Sequence, residues 1–369
     1  MRLSSLLLLF LLISTSASSV AEDWPLWQRY AAAFMDDQVR VIDHDAQDRT
    51  TSEGQAYAMF FALVADDRPR FDGLLRWTEK NLASGDLTAH TPAWLWGRKP
   101  GNQWGVIDAN SAADADVWMA YTLLEAGRAW KEPRYTALGT ALAKRIADKE
   151  VVQIPGFGAA LLPAPKGFHH HDSYRLNASY VPLQLLVRLA HEMPEGPWQH
   201  VAATVPLLIK ESAPQGFAMD WIEVSTNGHH TPSRLGSFEA IRVYLWAGLL
   251  DPSTPQAGPM LKDLSGMAHY LRTTSVPPAK VKQDGNVEDA KGPVGFSGAL
   301  LPYLSALGEK NLGVEQASRV RAEFNSQTGL YGNPARYYDQ NLILFALGST
   351  ERRYWFDSQG ELKTSWHHD

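Results

Sequence analysis

Thr51-Ser52-Glu53-Gly54-Gln55-Ala56-Tyr57-Ala58-Met59-Phe60-Phe61-Ala62-Leu63 decides how this chain is read. Ser52 with Gln55 three residues later is a capping-box signal, placed immediately before a run of small and apolar residues. A helix that is hydrophobic nearly all round is buried, whereas one with a charged stripe faces water. The same buried character returns at Ala240-Ile241-Arg242-Val243-Tyr244-Leu245-Trp246. Between such segments lie others with Lys, Arg and Glu on one face, and few stretches alternate with period two.

Worked outward from there, helical periodicity places twelve helices, at 24–38, 53–67, 69–83, 112–130, 133–146, 178–193, 195–213, 237–249, 254–271, 295–307, 314–324 and 337–348. The even-numbered segments are the small, apolar kind, and several odd ones carry charge. The expectation is an all-α fold, an (α/α)6 barrel of six inner and six outer helices. No fixed-period repeat is visible, so the count rests on pattern alone. The loops at 84–111, 151–177 and 214–236 are long and rich in Gly and Pro, and loops of that length inside a compact domain are usually functional. No linker composition divides residues 22–369, which read as a single domain.

Composition narrows the class. The chain has no cysteine, so neither disulfides nor thiolate metal sites are expected. Met1-Arg2, the apolar run Leu6 to Ile13 and the small residues ending in Ser19-Val20-Ala21 have the layout of a signal peptide over 1–21. That run is well short of the ~20 apolar residues that span a bilayer. Export to the periplasm or the medium is expected, with no membrane anchor once the peptide is removed. A formal charge of -6 without a basic cluster argues against nucleic acid and anionic membranes as partners. Thirteen Trp, thirteen Tyr and thirteen Phe raise carbohydrate as a ligand, because flat aromatic faces stack on pyranose rings.

The candidate chemistry lies at three helix starts. Glu53 follows Ser52, Asp114 follows Ser111, and Glu239 follows Ser237, each in a first turn behind a Ser cap. Helices of one ring run in the same direction, so the starts of the second, fourth and eighth helices gather at one rim. Glu53, Asp114 and Glu239 are thereby expected in a single cleft. Hydrolysis of a glycoside needs such a cluster: one carboxylic acid protonates the leaving oxygen, and one carboxylate activates water or attacks carbon. Neighbouring like charges also raise a carboxyl pKa, which opposes the preference of a helix start for the anion. Asp114 and Asp116 are about 200° apart around a helix and cannot face the same spot. Glu239 and Arg242 share a face, where an ordinary helix ion pair is the plainer reading.

These residues carry a resemblance. Ser52-Glu53-Gly54-Gln55-Ala56-Tyr57 resembles the acid motif of glycoside hydrolase family 8, and Ala112, Asp114, Ala115, Asp116, Met119, Ala120, Leu123, Leu124, Ala126 and Trp130 follow that family's signature. Ala113 and Thr122 depart from it. The likeness extends over the mature chain and is greatest to members encoded with bacterial cellulose synthase. It implies an (α/α)6 barrel and an inverting endo-β-1,4-glucanase without cofactor, acting on β-1,4-glucan in functional association with a cellulose synthase complex. Glu53 would be the general acid, and Asp114 would hold the sugar at the cleavage point. The water-activating base of the family is usually an Asp in Asp-Ala-x-Arg, whereas this chain has Glu239-Ala240-Ile241-Arg242, with Asp116 and Asp172 as fallback bases.

Trp94, Trp96 and Trp104 lie in the loop before the fourth helix and are candidates for sugar stacking, as are Tyr180 and Tyr338, with Tyr337 beside it. Arg242 completes the substrate-binding set. His169-His170-His171-Asp172 has no partner cluster with ligand spacing, so no metal is expected. A glucan-binding protein without turnover, a relative cutting xylan or chitosan, and a polysaccharide lyase are the alternatives.

Overall fold

The computed structural model describes residues 24–367, and the expected signal peptide lies outside the described residues. Thirteen α-helices occur among them. The inner six are α2 (Ser52–Val64), α4 (Ala113–Ala129), α6 (Leu183–Glu192), α8 (Ile241–Gly248), α11 (Val294–Ala306) and α13 (Tyr337–Thr350). The outer layer is α1 (Pro25–Phe34), α3 (Arg68–Asn81), α5 (Pro133–Glu150), α7 (Trp198–Ser212), the pair α9 (Ala257–Asp263) and α10 (Gly266–Leu271), and α12 (Lys310–Ala322). Neighbours in the inner ring pack α2 on α4, α4 on α6, α8 on α11, α11 on α13 and α13 on α2, and the turn Ala178–Tyr180 bridges α4 to α8. Helices α3, α5, α7, α9 and α12 each pack beside the inner helix preceding them in sequence, whereas α1 packs on α13. The fold is the expected (α/α)6 barrel.

Composition explains the layering. All of α2 except Glu53 is buried, as is all of α8 except Gly248, whereas α3 and α12 bury one side only. Rings from α2, α4 and α8 close the barrel axis around Phe345 of α13. Tyr57, Trp118 and Trp246 each lie 5.0 Å from it between ring centroids, and Phe60 is at 5.4 Å. Tilted and edge-on pairs of this kind contribute about 0.5–1.5 kcal/mol each beyond their buried area.

Several boundaries differ from expectation, among them α5, which runs on to Glu150 rather than 146, and α12, which starts at Lys310 rather than 314. The segment 254–271 is two helices, because the Gly266 amide donates to the Gly216 carbonyl at 3.0 Å instead of continuing the helix. The segment 178–193 is a 3-10 turn followed by α6, since Pro182 disfavours a helical Val181. The first helix stops at Phe34, where Met35 bridges to Val41 in extended conformation. Helix α8 begins at Ile241 rather than 237, which leaves Glu239 in the preceding turn. The long loops carry short antiparallel ladders. Strands β1 (Thr50–Thr51), β2 (Leu95–Arg98) and β3 (Trp104–Asp108) form one sheet, and His169–His170, Ser173–Leu176, Ile222–Ser225 and His230–Pro232 form another.

Candidate active site

The starts of α2, α4 and α8 share one rim, and their carboxyls meet there around a guanidinium. Arg242 points up the barrel axis and is 2% exposed. Its Nη1 donates to Glu53, to Asp114 at 3.1 Å and to the Tyr57 hydroxyl at 3.2 Å. Its Nη2 donates to Glu239 and to the Ser179 hydroxyl at 3.1 Å. Asn177 adds a second donor to Glu239 at 3.2 Å, and Tyr180 lies under the guanidinium, 5.6 Å from its centroid. Exposure grades the three acids: the side chain of Asp114 is 2% exposed, Glu53 22% and Glu239 35%.

One guanidinium facing three carboxyls leaves the cluster short of positive charge, so a proton must remain in it. Burial pushes Asp114 well above the usual carboxylate range, and the charge of Glu53 adds to the effect against the opposing pull of Arg242. A hydrogen bond to Glu53 favours the neutral Asp114 further. Glu239 is also raised, chiefly by burial, with Arg242 opposing. Asp114 is therefore the carboxyl of the cluster most strongly held in its neutral form.

Above the cluster opens a cleft of about 350 Å³, lined by Glu53, Asp114, Glu239 and Arg242 together with Trp94, Tyr180, Phe238, Tyr337 and Tyr338. Tyr338 is fixed by donating to the Phe238 carbonyl at 2.6 Å. Of the three tryptophans expected here, only Trp94 lines the cleft. Trp96 and Trp104 stack on each other at 5.1 Å, with Arg40 5.0 and 5.2 Å from the two rings and Arg98 5.2 Å from Trp104. Both rings lie on the β1–β3 sheet outside the cleft lining, with Trp104 still 41% exposed. Asp116 is buried beside Glu150, and Asp172 sits in the hairpin turn between His170 and Ser173, so neither reaches the cleft. His169 stacks on Tyr174 at 4.2 Å, and among the described residues no group of three His, Cys, Asp or Glu is arranged to hold a metal.

The Ser caps are not formed. Thr51, one residue before Ser52, caps α2 by accepting from the Gly54 amide at 3.1 Å, and Gln55 instead accepts from the Val41 amide at 2.7 Å. Ser111 donates to Glu150, and Ser237 donates to Asp220 at 2.7 Å. Gly54 is required for the geometry of α2, since a Cβ there would collide with the Tyr337 hydroxyl. Sequence reasoning missed Asp43, Arg49 and Phe238 in the cleft wall and Asn177, Ser179 and Asp220 behind it. The place of Phe238, next to Glu239, was a usable signal; the others sit in loops without a motif.

The comparisons with known proteins agree with this geometry. A sequence model described as "Glycosyl hydrolases family 8" matches residues 3–352. An endoglucanase of Escherichia coli O157:H7 is 42% identical over 372 residues, covering 99% of this chain and 97% of that protein. The crystal structure of an endo-1,4-D-glucanase from Vibrio fischeri ES114 superposes with a TM-score of 0.88 at 38% identity, covering 93% of this chain and 99% of that one. A family 8 endoglucanase from Klebsiella pneumoniae superposes at 0.73 with 25% identity, covering 89% and 100%. The chain belongs to glycosyl hydrolase family 8.

Proposed function

We propose that the cleft hydrolyses internal β-1,4 bonds of a glucan with inversion at the anomeric carbon, using Glu53 as general acid and Glu239 as general base. The observation that carries this is Arg242, whose Nη1 pairs with Glu53 and Asp114 and whose Nη2 pairs with Glu239, so that all three carboxyls gather at one cleft. Such a cluster supplies both the acid and the base that glycoside hydrolysis needs, and inversion is what the family resemblance implies. As general acid, Glu53 gives its own proton to the glycosidic oxygen, which leaves with the bonding electrons. Water supplies the new bond to carbon from the opposite face and gives its proton to Glu239. Asp114, neutral and almost fully buried, serves as a donor to a hydroxyl of the distorted sugar.

The aromatic wall of Trp94, Tyr180, Phe238 and Tyr338 suits a flat β-linked chain. The endoglucanase names of the relatives support the substrate class. The export pattern over residues 1–21 supports a periplasmic or secreted site of action, and the likeness to members encoded with bacterial cellulose synthase supports a functional association with cellulose synthesis.

The decisive experiment follows the anomer released from a cello-oligosaccharide by NMR. First appearance of the α-anomer is expected; β-anomer first would overturn inversion and the role of Glu239. New reducing ends from carboxymethylcellulose are expected from the wild type, with about 10²–10⁴-fold fewer from Glu53→Gln. Binding without product would instead make the protein a glucan-binding one.

A further inference from the structure

Glu239 is held by a residue that the family motif does not include. We infer that Asp220 is a positioning residue for the catalytic base, fixing the turn Ser237–Ala240 so that the carboxyl of Glu239 meets the water. This rests on the reading of Glu239 as that base.

The carbonyls of Ser237 and Glu239 accept the first amides of α8, at 3.1 and 3.2 Å, but no side chain caps the turn's own amides from within. Asp220 supplies the missing acceptors. Its Oδ1 accepts from the Ser237 amide at 2.7 Å and from the Ala240 amide at 3.0 Å, and its Oδ2 accepts from the Ser237 hydroxyl at 2.7 Å. These contacts clamp both ends of the turn that carries Glu239. Asp220 is itself fixed, since its amide donates to the Leu235 carbonyl at 3.0 Å and the next residue pairs with Ser233 through bonds of 2.7 and 3.1 Å. Gly236 lets the two segments come together, as a Cβ there would collide with the Ala218 carbonyl.

Charge acts in the same direction as geometry. Burial raises the pKa of Glu239, and the negative charges of Glu53 and Asp220 add to it, while Arg242 and the hydrogen bond from Asn177 oppose them. Asp114, Tyr180 and Tyr338 are the remaining titratable groups facing this carboxyl. Removing the Asp220 charge lowers the pKa of the base, so the acidic limb of its activity profile moves to lower pH.

The test measures kcat, KM and the pH dependence of kcat/KM on a cello-oligosaccharide for Asp220→Asn, Asp220→Ala, Glu239→Gln and the Asp220→Ala/Glu239→Gln double variant. Asp220→Ala is expected to lose about 10²-fold in kcat, the size of effect seen when a catalytic group is misplaced by about 1 Å, with little change in KM. Asp220→Asn keeps an acceptor for the two amides, so it should lose less and shift the acidic limb downward. The double variant should be no slower than Glu239→Gln, because Asp220 acts through Glu239. Wild-type kcat in Asp220→Ala alongside an inactive Glu239→Gln overturns the role of Asp220 alone; full turnover by Glu239→Gln overturns the base assignment instead. Where Asp220→Ala fails to fold, wild-type kcat with an unshifted acidic limb in Asp220→Asn overturns the proposal.

Discussion

The guanidinium of Arg242 lies 3.1 Å from the Asp114 carboxyl, and neither side chain is more than 2% exposed. A charge taken this far from water must be paired, and removing one partner of such a pair typically costs about 3–5 kcal/mol. Arg242→Met is therefore expected to lose stability of that order in urea unfolding. Arg242→Lys keeps the charge but offers a single point where Glu53, Asp114 and Glu239 need a fork. It should fold with a smaller loss and still lose about 10²-fold in kcat. A lysine variant with wild-type turnover would show that charge alone is sufficient.

Glu239→Asp restores the residue usual in the family and withdraws the carboxyl by one methylene. Because Asp220 fixes the turn for the longer side chain, kcat is expected to fall about 10²-fold at nearly constant KM. Steady-state rates on one cello-oligosaccharide decide it, and an unchanged kcat would mean that the turn follows the side chain.

Gly54→Ala would ordinarily stabilise a helix interior by about 0.5–1 kcal/mol. Here the added Cβ collides with the Tyr337 hydroxyl. The sign should reverse, with a loss of about 1–3 kcal/mol, the usual range for overpacking. Gly54→Ala/Tyr337→Phe should recover part of it in thermal unfolding. Equal melting temperatures for the single and double variants would count against the collision.

Glu150 and Asp116 form a second, fully buried carboxyl pair below the rim. Burial lifts Glu150 to about 7, with the hydrogen bonds from Ser111 and Asp116 opposing, and burial together with the Glu150 charge holds Asp116 well above its usual value. The folded state thus keeps protons that the unfolded chain has released. Stability is fully present below the ordinary glutamate value and is lost as pH rises through about 7. The melting temperature should fall between about pH 5 and pH 8, and Glu150→Gln should flatten that slope. A slope identical to wild type would remove Glu150 as its source.

Layering was legible from composition because burial is recorded residue by residue: α2 and α8 have no polar stripe, and α3 and α12 do. The gathering of Glu53, Asp114 and Glu239 followed from parity alone, since alternate helices in such a barrel are parallel. Local capping did not transfer, because Ser111 and Ser237 found carboxyl partners far along the chain in Glu150 and Asp220. The break before α10 was equally hidden, depending on the Gly216 carbonyl some fifty residues earlier. The cation contacts of Trp96 and Trp104 with Arg40 were not legible, because Arg40 lies more than fifty residues earlier in the chain.

The late start of α8 has a consequence for how this enzyme can diverge. Glu53 is carried on a helix whose next residue has no room for a Cβ, so its reach is inherited with the barrel itself. Glu239 is carried on a turn anchored by the side chains of Asp220 and Tyr338. Lineages can exchange side-chain length there, together with adjustment at Asp220, without disturbing any helix. The reach of Glu53 is set by the packing of a helix, whereas that of Glu239 is set by a turn and its contacts with Asp220.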